Sequence, residues 1–315
     1  MTTYGLVLPH FGPDTCRSLL LDAARQAEAA GYDRVWARDH LVYTPHPWEP
    51  RSDRFLEQYV ALSAAAAVTE RIELGAGATI PFRAPRHVLA LAESLSQLAE
   101  RRVHIGLGLG DYASEMELSG VSATQIAHRR RETFEVLESA ASRTRADRPV
   151  EIWWAGGGRL AAAAAVERRV NWLAGRQPFS TFAPLMADLG RLAEKSGWRP
   201  KVAVWMLADY DADRESAGGR LPRRDLIAAF SRGGGRAGDT GSATDDDIRG
   251  SALVGNLPEI RADVAAMRSL GADHIVFDFR FSGADSWADD IRGFRERVLD
   301  DPPRSAADGP GRMRR

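Results

Sequence analysis

Asp39 and His40 follow directly on an apolar run in VWARDHLVY, residues 35–43. Histidine titrates near neutrality and can give or take a proton, and a neighbouring carboxylate can orient a ligand or balance charge. Neighbours on an extended chain point to opposite sides, so these two need not touch. One can face a pocket while the other holds the loop. An aspartate capping the next segment beside a hydrogen-bonded histidine is the plainer alternative.

Two other stretches invite a ligand. AGAT, residues 76–79, places small residues in a strand, which weakens it and calls for a reason. A bulge met closely by a flat ligand is one reason, and tight packing against a helix is another. GGGRLAAAAAV, residues 156–166, sets a glycine turn at the start of a helix. Main-chain N–H groups there, at the positive end of the helix dipole, favour an anion such as phosphate, to which Arg159 or Arg176 adds charge. An ordinary flexible turn is the alternative. GLGLG, residues 106–110, lacks the G-x-G-x-x-G spacing of a dinucleotide fingerprint.

Other chemistries find less support. The histidines at 10, 40, 46, 87, 104, 128 and 274 form no H-x-H or H-E-x-x-H pattern, so no metal site is expected. No G-x-S-x-G nucleophile elbow occurs, and Cys16 is expected to pack in the first helix. Asp39 with Glu115 keeps paired-carboxylate hydrolysis open.

These residues need elements to position them. Apolar strand patterns occur at 4–9, 33–37, 72–79, 102–110, 150–157, 170–175, 201–209 and 273–279, each followed by a segment of helical period. Thr15 is placed as the cap of the first helix and Gly31 as its end. Eight such units predict a closed parallel (β/α)8 TIM barrel. A doubly wound open sheet is the rival, but no linker divides the chain. In a barrel the strand C-termini share one rim. His10, Asp39, His40, Ala76 to Ala78, Glu115, Gly156 to Gly158, Arg176, Asp278 and Arg280 all fall there.

Residues 1–299 are expected to form this single barrel domain. Within it, 211–251 is rich in glycine and charge and is expected to be a mobile insertion or lid after strand seven. Residues 300–315 are expected to be a disordered tail. The formal net charge of -1 gives no basic field for nucleic acid. The N-terminus lacks a basic n-region, and no apolar run is long enough to span a membrane. A lone cysteine fits a reducing, cytoplasmic setting.

The chain also resembles a known family, the bacterial luciferase-like flavin and deazaflavin oxidoreductases. The likeness is carried by GLVLPHFGP, AEAAGYDRVWARDHL, LSAAAAVTERIELGAGATIPFRAPRHVLALAESLSQLAERRVHIGLGLGDYASEMELSG, HRRRETFEVLES, IWWAGGG and GNLPEIRADVAAMRSLGADHIVF, in the family's order from Tyr4 to about Val298. The resemblance implies a flavin-type ring at the barrel mouth, braced by the main chain of Ala76, Gly77 and Ala78. It implies a non-prolyl cis peptide within Gly75 to Thr79. It places the cofactor phosphate by Gly156, Gly157 and Gly158, with Arg129 and Arg176 among the cofactor-binding residues. The Asp-His ending looks like the branch that uses the deazaflavin F420. There Asp39 would touch the cofactor, while His40 and Glu115 would be the catalytic pair. His10 and Trp48 are assigned to the substrate side.

The implied activity is hydride transfer between F420 and a small organic substrate. The alternatives are an FMN-dependent two-component monooxygenase, fed reduced flavin by a separate reductase and using O2, and a non-catalytic flavin-binding barrel. A homodimer through helices near the second and third strands is the family's habit. Two features depart from the family: the short link SRTRADRPVEIWW at 142–154, and the unaligned stretch 211–251. Substrate identity does not carry over.

Overall fold

Short runs of β-branched, aromatic and small apolar residues separate the helical segments, and they pair side by side. The computed structural model describes residues 2–43, 45–52, 54–110, 113–141, 150–233 and 244–300. The first half runs β1 (Thr3–Val7), α1 (Arg17–Ala29), β2 (Arg34–Ala37), α2 (Gln58–Ala66), β3 (Glu73–Thr79), α3 (Pro85–Ala99), β4 (Val103–Leu107), α4 (Ala113–Ser119) and α5 (Ala123–Ala141). Then come β5 (Val150–Ala155), α6 (Arg159–Glu167), β6 (Asn171–Arg176), α7 (Phe179–Ser196) and β7 (Val202–Leu207). The last part holds β8 (Tyr210–Asp211), β9 (Ser216–Ala217), α8 (Arg223–Gly233), β10 (Gly255–Asn256), α9 (Leu257–Ser269), β11 (His274–Asp278) and α10 (Trp287–Phe294). A π-helical turn, Arg295–Leu299, continues α10.

The main sheet closes in the order β1-β11-β7-β6-β5-β4-β3-β2, and all its neighbours are parallel. This is the (β/α)8 barrel expected from the strand count. The shell between strands and helices is aliphatic, with Leu20, Leu62, Val88, Leu137, Leu189 and Ile260 buried on their helices. Inside the barrel, Val7, Trp36, Trp153, Leu173, Trp205 and Val276 form a separate apolar cluster.

Caps mark several helix ends. Asn256 and Glu259 make a reciprocal capping box at α9, and Gly197 ends α7 with φ 68°. Helix α1 departs from expectation. Its N-cap is Cys16, whose side chain makes no cap hydrogen bond, and Thr15 Oγ1 has no partner among the described residues. Cys16 is exposed, because as N-cap it is extended, with φ -153° and ψ 169°, and stands ahead of the helix whose buried face runs through Leu20, Ala23, Ala24 and Ala27.

The stretch 211–251 also differs from a simple mobile loop. In its described part, Leu221, Leu226 and Ile248 pack with Leu207, Ala252, Val254 and Trp48. Strands β8, β9 and β10 form a small antiparallel sheet beside it. Glycine-rich composition hid these apolar anchors. Residues 234–243, most of the 142–154 link and the tail beyond 300 lie outside the described residues. Among the described residues, no helix is long and apolar enough to cross a membrane.

Candidate active site

Strand β3 loses register with β4 between Ala76 and Thr79. The bulged residues Gly77 and Ala78 join through a cis peptide, inside the segment where the resemblance implies one. The glycines here answer to packing inside the barrel. A Cβ on Gly75 would lie 2.3 Å from Trp36, and one on Gly77 would lie 2.7 Å from Trp36 and 2.8 Å from Trp205. The tight packing is against tryptophans of the barrel interior and not against a helix, the alternative that the sequence left open. Gly77 and Ala78 also line a cleft of about 360 Å³ at the barrel mouth.

The same cleft is lined by Arg38, Asp39, His40, His46, Trp48, Gly108, Glu115, Gly156, Gly157, Arg176 and Trp205. His40 Nδ1 lies 3.0 Å from Glu115 Oε1, and both side chains are buried. Glu115 Oε1 also accepts from the main-chain N–H of Leu41 at 2.9 Å and of Val42 at 3.3 Å. A carboxylate with acceptors only fixes the proton on Nδ1 of the neutral ring and stabilises the imidazolium.

Asp39 turns to a holding role. Its Oδ2 accepts from the Ile80 N–H at 2.8 Å and from Arg83 Nη1 at 2.6 Å, and its Oδ1 accepts from Arg83 Nη2 at 2.9 Å. The carboxylate thus pins the chain leaving β3 to the end of β2.

Two lining residues, Arg38 and Arg176, belong to a buried ionic cluster that sequence reasoning only half found. Arg38 donates to Glu49 at 2.9 Å, and Arg280 pairs with both Glu49 and Asp278. Arg176 Nη2 donates to Asp278 at 2.6 Å. Burial pushes the Asp278 carboxyl up, but the two guanidiniums outweigh it and hold the group down at about 2. Burial and the nearby Arg280 charge draw the Arg176 guanidinium down to about 10. Arg176 lies 5.2 Å from the Trp48 ring and 5.9 Å from the Trp205 ring. Glu49 gave no sequence signal, since it sits in a loop with no motif around it. Trp205 read only as strand core.

Several expected site residues sit elsewhere. His10 does not line the cleft: its Nδ1–H donates to the Leu8 carbonyl at 2.8 Å, and its Nε2 accepts from the Arg38 N–H at 3.0 Å. Both nitrogens being held by main chain, the ring braces β1 against β2. Arg129 donates to the Phe82 carbonyl at 3.0 Å and is absent from the cleft lining, while Arg130 reaches the Ala155 carbonyl at 3.1 Å. Gly156 and Gly157 border the cleft, but Gly158 is the exposed N-cap of α6. Arg159 pairs with Asp188 at 2.7 Å, and Arg176 points across the barrel to β11, so neither serves the glycine turn. The turn is braced by Gln177, whose Nε2 donates to the Gly157 carbonyl at 3.0 Å.

An eight-stranded barrel with a bulged third strand and polar groups gathered at one mouth defines a class of ligand-binding barrel. The chain belongs to the luciferase-like monooxygenase family, whose model matches residues 17–274. It is 34% identical over 113 residues to an F420-dependent hydroxymycolic acid dehydrogenase of Mycobacterium tuberculosis, an alignment covering 35% of this chain and 30% of that protein. The chain thus spans under half the length of the curated relatives it matches. Among solved structures it is similar to an F420-dependent secondary alcohol dehydrogenase with an F420-acetone adduct, at TM-score 0.73 and 16% identity, covering 95% of this chain and 98% of the other. It is also similar to the FMN-bound oxygenating constituent of 3,6-diketocamphane monooxygenase of Pseudomonas putida, at TM-score 0.74 and 18% identity, covering 95% and 98%. At those identities the structural likeness speaks for the fold alone.

Proposed function

We propose that this chain is an F420-dependent oxidoreductase that moves a hydride between the deazaflavin and a small organic substrate. The observation that carries the reading is the Glu115-oriented His40 facing the same cleft as the Gly77–Ala78 bulge. The F420 dependence of the Mycobacterium tuberculosis relative supports the choice of cofactor.

The residues present fit such a group. The bulge offers main chain and one methyl, so a flat ring can approach closely. A Cβ on Gly108 would lie 2.9 Å from Ile80 and 3.1 Å from Ala78, so that neighbouring wall also stays flat. Two buried donors that line the cleft, Arg176 Nε and Trp205 Nε1, have no acceptor among the described residues. F420, when bound, supplies the ring carbon that gives or takes the hydride. Gly156 and Gly157 would hold the phosphate end, and Ala76 to Ala78 would brace the ring. His40 would exchange the proton that accompanies the hydride, through Nε2, with its imidazolium stabilised by Glu115.

Titration of the purified chain with F420 and with FMN, followed by cofactor fluorescence, tests this. F420 is expected to bind at least about ten-fold more tightly. Tighter FMN binding, with oxygen consumption on adding reduced FMN, would establish the two-component monooxygenase instead. Binding without any turnover of the reduced ring would leave a non-catalytic barrel.

A further inference from the structure

We propose that Gln58 is a positioning residue: it fixes the Gly77–Ala78 bulge, on which the redox ring lies, at one depth in the barrel mouth. The sheet breaks at this point. Pairing of β2 with β3 runs as far as Ala37 with Ala76. From Ala76 to Thr79, β3 takes three steps where β4 takes two, from Ile105 to Leu107. The extra residue interrupts the ladder, so polar groups beside the bulge need partners from elsewhere.

The first residues of α2 supply them. Gln58, 1% exposed, donates from Nε2 to the Ala37 carbonyl at 2.7 Å and accepts at Oε1 from the Thr79 hydroxyl at 2.9 Å. The Ala37 oxygen can only accept, which fixes the way the amide faces. With its own proton given to Gln58, Thr79 Oγ1 receives the Tyr59 hydroxyl, 2.9 Å away. Glu57, the N-cap of α2, accepts from Arg83 Nη2 at 2.6 Å, and Arg83 in turn holds Asp39. Three successive side chains thus tie the end of β2 to the chain on the far side of the bulge.

On the β4 side the hold is looser. The Gly108 N–H donates to the Thr79 carbonyl at 3.0 Å, but the Ala78 methyl faces Gly106 and Gly108, where an added Cβ would lie 3.3 Å and 3.1 Å from it. Gln58 does not line the cleft, so it acts on a ligand through Thr79 and the bulge. A seat formed only part of the time weakens its ligand in proportion. That a ring lies on the bulge rests on the redox reading above. That Gln58 fixes the bulge does not.

The test compares Gln58→Leu, Thr79→Val and Thr79→Ser with wild type in the full chain. Leucine and valine remove the contacts with little change of size, whereas serine keeps the hydroxyl. Hydrogen–deuterium exchange without cofactor is read by mass spectrometry, and F420 and FMN are titrated by fluorescence. Gln58→Leu and Thr79→Val are each expected to speed exchange within residues 75–80 by about ten-fold relative to the rest of the barrel. They are expected to weaken F420 by about ten-fold and to lower the fluorescence anisotropy of the bound ring. Thr79→Ser should restore wild-type values of all three. Thr79→Val carries the test if Gln58→Leu fails to fold.

Exchange at 75–80 that is unchanged, or raised no more than elsewhere in the barrel, overturns the proposal. So does wild-type affinity in both variants of a chain that binds F420 or FMN, and that result leaves the redox reading standing. If the wild-type chain binds neither, the redox reading fails and exchange alone decides: a local rise that serine reverses keeps Gln58 as the residue that sets the bulge.

Discussion

Glu115 Oε1 stands 3.0 Å from His40 Nδ1, and the two residues are 75 apart in sequence. The same oxygen receives the N–H groups of Leu41 and Val42, so one buried atom sets both a ring and the loop that carries it. Glu115→Ala would strand three donors at once. A loss of roughly 2–4 kcal/mol is expected on urea unfolding, against about 1 for Glu115→Gln, which keeps an acceptor oxygen. Equal losses for the two variants would show that the oxygen is not what matters.

Glu49 lies between Arg38 and Arg280 and is 4% exposed. Glu49→Ala removes the carboxylate that Arg38 and Arg280 share, and leaves Arg280 on Asp278 together with Arg176. Breaking a buried ionic group from one side destabilises by about 3–5 kcal/mol. Glu49→Gln keeps the hydrogen bonds without the charge and should lose less. Differential scanning calorimetry of both variants checks the order.

Added methyl groups should rank by what they meet. Gly75→Ala drives a Cβ to 2.3 Å from Trp36, and Gly77→Ala to 2.7 Å from the same ring. Overpacking of this kind typically lowers stability by about 1–3 kcal/mol, with Gly75→Ala the worse. At Gly190, inside α7, an added methyl would meet nothing within 4 Å among the described residues. Gly190→Ala should stabilise by about 0.5–1 kcal/mol through helix propensity. Thermal melts giving any other order refute the packing account.

Stability should fall as pH drops below about 6.5. Burial lowers His10 to about 4 and His274 well below its usual range. Trp36 donates to His274 Nε2 at 2.9 Å, which requires that nitrogen to be unprotonated. The unfolded chain takes up these protons more readily, so the stabilisation is complete above the unfolded value. For His10 it is lost as pH falls toward about 4, roughly 3 kcal/mol in all. Denaturant midpoints at pH 7.5 and pH 5 measure the slope, and His10→Gln should flatten it. Burial raises Glu73 and Glu151, but His104 outweighs it and holds both at about 2, so they add their loss only at lower pH.

The barrel was legible because eight apolar runs alternate with helical periods, a pattern few other folds share. The ends of β2 and β3 were legible for the same reason, and Asp39, His40, Gly77 and Ala78 do meet at one cleft. Orientation was not. His10 stands at a strand end like His40, yet main chain captures both of its ring nitrogens. Arg176 reads as a phosphate ligand from its place at the end of β6, but its Nη2 is held by Asp278 of β11. The Glu49–Arg280 pair spans 231 residues and follows no local pattern. Trp205 shows its unmet N–H only once its neighbours surround it.

Strand β1 is hydrogen-bonded to β11, and Glu49 joins Arg38, just past β2, to Arg280, just past β11. During synthesis the cleft therefore stays unfinished until β11 has left the ribosome. A nascent chain halted before His274 would lack a wall, and ligand capture would report the arrival of β11.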